Sequence, residues 1–320
     1  MEENTVTKKR IDTKKIFRYA PLAGLVVLVI FFAVASKGRF LSSANIKVLF
    51  NQLMITALIS TGGIFAFTAG ALDMSMGGCV CVAAIVAAFA GVATNSLLVM
   101  LLVVVGVGIG LGLLKAFLAK YMDVPIFMLT IVLGMALSAL GETVMGNLTS
   151  LSVSDIVGKQ QNTVLYVAIL VAFYVVSMII FNYSTVGKSA KLVGGNPRAA
   201  DQTGINANKT KLYAFLLGGI GIALTAFIVL MRTKSVNAST GGNVGMDMMV
   251  AIVLGGMPLA GGAKSRISAA LIGAGIVTAL NNGLMVIGTD SGYIQLIRGI
   301  LFMIVVFITG FSYRTNLLPR

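Results

Sequence analysis

From Leu97 to Leu114 the chain carries no charged, amide or hydroxyl side chain, and runs of similar character recur along most of its length. A helix of about 20 apolar residues is what crosses the hydrocarbon of a bilayer. Within lipid every backbone N–H and C=O must find its partner inside the structure, which leaves only helices and closed barrels. The runs lack the alternating pattern of about ten residues that a barrel strand shows, so they read as helices. Composition agrees: 58% of the 320 residues are hydrophobic and 11% charged, and the mean hydropathy is +0.98, beyond the range of a soluble globular domain of this length. The expectation is an all-α polytopic membrane protein.

About ten spans are expected, over residues 19–36, 46–68, 74–93, 97–118, 125–146, 162–182, 211–231, 248–262, 267–287 and 293–312. No soluble domain can be cut out of them. The chain reads as a basic N-terminal tail (1–18), one membrane domain (19–312) with a polar loop at 183–210, and a short C-terminal tail (313–320). Placing both termini in the cytoplasm puts most of the 24 basic residues there, among them Lys8, Lys9, Arg10, Lys115, Lys120, Lys188, Lys191, Arg198, Lys264 and Arg266. Lys37, Arg39, Lys47, Lys159, Arg232 and Lys234 then fall outside. The positive-inside rule favours this orientation. It also accounts for the net charge of +14 without any nucleic acid partner.

The first span imitates a secretory signal, with a basic lead-in, an apolar stretch and Ala33-Val34-Ala35 as a cleavage-like site. Its lead-in is long for a signal, and removing it would leave an odd number of spans, so it is expected to stay. Cys79 and Cys81 have a spacing that neither zinc sites nor redox pairs use, and they read as packing residues. With no His in the chain, the usual metal ligand and near-neutral acid or base are missing, and no cluster of acid, base and nucleophile is visible. Nothing points to an enzyme, a metal or a bound cofactor.

The polar loop carries one helix written out in caps. Asn196 suits the N-cap, Pro197 the first helical position, and Gly204 the left-handed residue past the last turn. Two turns from Pro197 to Thr203, including Arg198, Ala199, Ala200 and Asp201, are too short to be stable alone, so this helix should rest on something else. Gly187-Lys188-Ser189 in the same loop resembles the end of an ATP-binding P-loop, but the position that needs glycine is Asn182. A second near miss, Gly256 to Ser265, has two residues too many before Lys264. Any ATP hydrolysis must therefore come from another chain.

Other polar positions leave alternatives open. Asp73, in a break rich in small residues with Ser75 and Gly77, either caps the helix from Met74 or borders a solvent pathway or hinge. Asn281 and Asn282 either bond a neighbouring helix or line a route for a polar solute. Glu142, Asp247 and Arg298 pose the same choice, with pairing among them open. The eighth segment is interrupted by Gly255, Gly256 and Pro258, which makes it a tilted or broken helix and a pathway or hinge candidate. In the fourth span Gly106, Gly108, Gly110 and Gly112 form two small-residue pairs on nearly opposite faces, predicting packing on both sides. Spans two to five and seven to ten enter from opposite sides, as an inverted repeat would.

Four stretches together carry a resemblance: TAGALDMSMGG (68–78), VPIFMLT (124–130), VGGNPRAADQTGINANKTK (193–211) and AIVLGGMPLAGGAKSRISAALIGAGIVTALNNGLMVIG (251–288). In this order the chain resembles the membrane permease subunits of ribose-type ABC importers, the branched-chain amino acid and sugar group of bacterial inner-membrane transport proteins. The resemblance runs from about Asn45 to the C-terminus. It departs at Gly141-Glu142-Thr143, where the family often has Arg-Gly, and at Ala71. It implies a type II importer fold, a permease homodimer around a central pathway, and a cytoplasmic ATPase that holds the ATP and Mg. An extracytoplasmic binding protein completes the assembly, and the segment from Asn196 to Gly204 would be the coupling helix. The implied solute is a monosaccharide such as ribose. A nucleoside or a branched-chain amino acid remains open, as does an ion-coupled secondary transporter.

Overall fold

The computed structural model describes residues 13–122, 124–158 and 163–314, with side chains described from residue 19 to residue 307. Most of both expected tails, and Lys159, lie outside the described residues. Among the described residues thirteen α-helices follow one another: α1 (Thr13–Ala35), α2 (Ser43–Thr68), α3 (Met76–Thr94), α4 (Leu97–Tyr121), α5 (Ile126–Met145), α6 (Ser154–Val157), α7 (Thr163–Tyr183), α8 (Thr185–Gly195), α9 (Pro197–Gln202), α10 (Ala207–Thr233), α11 (Val244–Leu254), α12 (Ser268–Val286) and α13 (Ser291–Arg314). A two-stranded clasp, β1 (Leu151–Ser152) against β2 (Ser235–Val236), ties the α5–α7 connection to the end of α10.

Polar residues between the apolar runs start several of these helices. Ser42, Ser96 and Asn206 accept hydrogen bonds from the backbone N–H of Asn45 (3.3 Å), Val99 (3.4 Å) and Lys209 (3.0 Å). Seven helices (α2, α3, α4, α5, α7, α10 and α12) are long and apolar enough to cross a membrane, and α1 and α13 extend over 23 and 24 residues. The eighth expected span is different. Its helix, α11, has 11 residues, about 16 Å of rise against a hydrocarbon core of about 30 Å. Beyond Leu254 the chain continues as turns to Ser268, so the expected break is real and the segment does not cross as one helix.

The helices α2, α3, α10 and α12 are buried over most of their length, whereas α4, α5 and α7 leave most of theirs exposed. Their neighbours repeat. α2 packs along α10; α4 lies on α10 as α12 lies on α2; α3 touches α10 as α11 touches α2; and α3 meets α4 and α5 as α11 meets α12 and α13. Exchanging α2–α5 for α10–α13 leaves these principal packings unchanged, the pattern an inverted repeat requires. α1 lies outside the repeat and packs on α12, with the Phe32 ring seated where Gly283 has no side chain.

Glycines let backbones meet at the centre. A Cβ on Gly62 of α2 would sit 2.9 Å from the Cα of Gly221 on α10, and one on Gly108 of α4 would sit 2.7 Å from the Gly219 carbonyl oxygen. Gly112 faces the Phe215 carbonyl in the same way, at 2.6 Å. The expectation that α4 packs on both sides is corrected: Gly106 and Gly110 are exposed and meet nothing within 4 Å. An i to i+4 pair makes a seam only where a partner helix is present. Gly219→Val should therefore lower the thermal stability of the purified protein, by the roughly 1–3 kcal/mol of an overpacked interior. Gly106→Val should leave the melting temperature unchanged; equal effects in a detergent melting assay would refute this packing.

Candidate functional site

At one face of the bundle the polar loop forms two helices where one was expected. α8 turns Gly187, Ala190 and Val193 inward, spacing that fits one helix face, and the Lys191 ammonium caps the end of α7 by donating to the Phe181 carbonyl at 3.3 Å. Burial there lowers the Lys191 pKa from its ordinary value. Gly187, Lys188 and Ser189 lie inside this helix, which removes the loop that a phosphate cradle needs.

α9 then follows its caps. Asn196 Oδ1 accepts from the N–H groups of Arg198 (3.1 Å) and Ala199 (3.2 Å), and Pro197 takes the first position. At the far end Gly204 has φ +81°, its N–H donates to the Asp201 carbonyl at 2.9 Å, and the Ile205 N–H donates to the Ala200 carbonyl at 3.1 Å. This is a Schellman termination. The helix ends at Gln202, with Thr203 as its cap, one residue earlier than expected. Ala200 is 4% exposed and faces the protein, so the outward surface consists of Pro197, Arg198, Ala199, Asp201 and Gln202.

α8 and α9 are joined to the membrane helices through backbone. Gly194 lies against the Thr68 carbonyl at the end of α2, too close for any side chain. The same carbonyl accepts the Gly262 N–H at 2.9 Å. Gly261, at φ +67°, packs on Phe67 and Thr68, and Gly262, at φ +86°, packs on Gly195. The end of α2, the end of α8 and the break after α11 thus meet at one point. Gly255 and Pro258 are buried in that break, and Gly256, at φ +93°, faces Pro21 of α1.

Asp73 lies close to this junction in sequence and is buried. Its carboxylate accepts from the Ser75 N–H (2.9 Å) and hydroxyl (2.6 Å), and it pairs with Lys115 Nζ at 2.6 Å; Asp73 and Lys115 are 4% and 1% exposed. The expected capping role is corrected in detail, since α3 starts at Met76 and Asp73 holds the residue before it. Lys115, counted from sequence among the cytoplasmic basic residues, is instead a buried ion near the C-terminal end of α4. Gly77 lies against Gly241 and Gly245, which join α3 to the start of α11.

The half of the bundle away from α9 holds a cavity of about 300 Å³. Gln52 and Thr56 of α2, Asp247 of α11, Thr278 and Asn281 of α12, and Gln295 and Arg298 of α13 supply its polar wall. Asp247 and Arg298 form an ion pair there, while Glu142 stays exposed on α5. The two adjacent asparagines part ways. Asn281 lines the cavity, whereas Asn282 exchanges amide hydrogen bonds with Asn45 of α2, at 2.8 and 3.1 Å.

A model of the family described as branched-chain amino acid transport system / permease component matches residues 45–306. The chain belongs to this family. Ribose import permease protein RbsC of Escherichia coli (strain K12) is 26% identical over 321 residues, covering 96% of this chain and 98% of its own. RbsC of Bacillus subtilis (strain 168) is 29% identical, with 95% and 97% covered. Xylose transport system permease protein XylH of Haemophilus influenzae is 25% identical, with 91% and 95% covered. No solved structure matches the chain.

In the permease, then, the sequence candidates fall into separate places. Asn196 to Gly204 form the capped helix, Asp73, Ser75 and Gly77 a buried junction, Gly255, Gly256 and Pro258 the break, and Asn281 reaches the cavity together with Asp247 and Arg298. Gln52 and Thr278 were missed. Thr278 stands one helical turn before Asn281, which was a readable signal. Removing one partner of a buried ion pair leaves an uncompensated charge, so Lys115→Met should destabilise the permease by about 3–5 kcal/mol. The Lys115→Met, Asp73→Leu double variant should recover much of that loss in a melting assay; an unrecovered loss would show that the pair itself is not what matters.

Proposed function

We propose that this chain is the membrane permease subunit of an ATP-driven ABC importer of the bacterial inner membrane, and that it moves a monosaccharide into the cytoplasm. It does no covalent chemistry and binds no cofactor. ATP and Mg are held by a separate cytoplasmic ATPase, a second permease copy completes the pathway, and an extracytoplasmic protein delivers the solute. The names of the ribose and xylose permease relatives, similar over nearly their whole lengths, support the sugar. The positive-inside rule supports a cytoplasmic α9 face and cytoplasmic termini.

The observation that carries the reading is α9 itself. It is one turn and a half of helix, capped at both ends, with five outward side chains and no apolar core of its own. Such a helix is a rigid peg rather than a stable unit. We assign Asn196, Pro197, Arg198, Ala199, Ala200, Asp201, Thr203 and Gly204 to the coupling element, with Ala199 at the docking surface and Ala200 holding the peg to the bundle. Gly255, Gly256 and Pro258 serve as the hinge, and Asp73, Ser75 and Gly77 form the fixed junction beside it. Each nucleotide state of the ATPase would favour one arrangement of the permease, and coupling is that difference in affinity.

Ala199→Trp fills the outward surface while leaving both caps intact. It should weaken ATPase association by at least about tenfold, equivalent to about 1.4 kcal/mol, with normal insertion and melting temperature. Gly204→Ala forces a side chain into the left-handed region and should cost about 1–2 kcal/mol at that terminus. Solute-stimulated ATP hydrolysis by the reconstituted complex is the readout, and wild-type stimulation in Ala199→Trp would overturn the assignment.

A further inference from the structure

Three oxygens buried in the cavity wall have no hydrogen-bond partner: Gln52 Oε1 on α2, and Thr278 Oγ1 and Asn281 Oδ1 on α12. All three belong to residues that line the same cavity, contributed by two helices. Thr278 had a local alternative, because a helical threonine can donate to the carbonyl four residues back. Thr56, Thr210 and Thr233 do so, at 3.3, 3.0 and 2.8 Å; Thr278, like the buried Thr61, Thr68 and Thr225 elsewhere in the bundle, does not. Buried oxygens left without donors at this depth are costly, and three residues that carry them around one cavity make it the place in the bundle where a visiting donor gains most. The charges beside them are already spent, since the Asp247 carboxylate pairs with the Arg298 guanidinium and also accepts from the Asn281 side chain.

We propose that this cavity is a transient binding site within a single permease chain for a neutral, hydroxyl-rich solute. The solute's hydroxyls donate to Gln52, Thr278 and Asn281. The Asp247–Arg298 pair presents a dipole without net charge, to which hydroxyls can both donate and accept. An amino acid zwitterion would have to separate that pair to find partners for its ammonium and carboxylate, which a buried ion pair resists. The space of about 300 Å³ falls at the small end of ligand pockets, as a single sugar ring requires. Selectivity on this account does not belong to the binding protein alone. The inference rests on the importer reading above.

The test uses the full complex of permease, ATPase and binding protein in proteoliposomes, with D-ribose and D-xylose as probes. If the wild type imports neither sugar, the monosaccharide reading fails before the site is examined. If it imports one, Thr278→Val, Asn281→Leu and Gln52→Leu should each lower the maximal uptake rate at least tenfold, with the concentration for half-maximal uptake unchanged. Asn282→Ala, which touches Asn45 and not the cavity, should keep the wild-type rate per assembled complex. Wild-type uptake in all three cavity variants overturns the proposal. A second readout does not depend on how those variants assemble: a methanethiosulfonate reagent should label Ser291→Cys, at the cavity wall, more slowly during turnover with the imported sugar. L-leucine should give no protection. Labelling that the sugar leaves unchanged overturns the proposal as well.

Discussion

The architecture depends on α10 being approached backbone to backbone from two sides. α2 meets it at Gly62 and Gly221, and α4 meets it at Gly108, Gly112 and Gly219. In a bilayer the surrounding lipid is as apolar as a leucine side chain, so helices gain little by hiding apolar surface and associate through close van der Waals contact instead. Close contact is strongest where no side chain intervenes. That places the glycines at the centre and the large apolar side chains, such as Leu102, Met128 and Val132, on the outside. It also sets the repeat: with α10 and α2 locked together, each can hold the other half's α4 or α12 equivalent in the same way.

Two ion pairs show how the same chemistry serves different ends in this frame. Asp73–Lys115 is sealed, with the carboxylate also accepting from Ser75, so both ions find partners within the protein. Such a pair fixes one geometry, and a change in it would require exposing two ions to hydrocarbon. Asp247–Arg298 lines a cavity beside amides and hydroxyls that lack partners. Its neighbours are unfinished, and a visiting polar molecule can complete them. The first pair holds the entrance to α3 against α4; the second stands in the wall of the cavity.

Much of this was readable from the residues. Apolar runs bounded by Ser42, Ser96 and Asn206 gave helices within a few residues of their true ends, and the caps at Asn196, Pro197 and Gly204 gave α9. The break at Gly255, Gly256 and Pro258 gave the short α11. What stayed hidden was set by partners distant in sequence. Gly106 and Gly110 have the same spacing as Gly108 and Gly112, and only the position of α10 separates them. Lys115, near the end of an apolar run, looks like any lysine reaching for a membrane surface until Asp73 is found opposite. α8 has three glycines and two lysines in 11 residues, so its helix comes from packing on α7 and α10 and not from propensity. Asn281 and Asn282 are adjacent, and a rotation of 100° per residue sends one to the cavity and the other to Asn45.

The backbone junction at Thr68 connects the two ends of the bundle. Gly194 and Gly262 both lie on that carbonyl, with no side chain that could change rotamer and absorb a displacement. Any movement of α8 and α9 that preserves these contacts must therefore carry the end of α2 and the loop that leads into α12. Those two helices supply Gln52, Thr278 and Asn281 to the cavity wall. A helix is stiff along its axis over the length involved, so a displacement at Thr68 or Ser268 is delivered at the other end instead of being lost on the way. The spacing between α2 and α12 then sets whether the three oxygens can reach one solute together. If the cavity binds solute as proposed, binding at the far end and movement at the α9 end act on the same pair of helices.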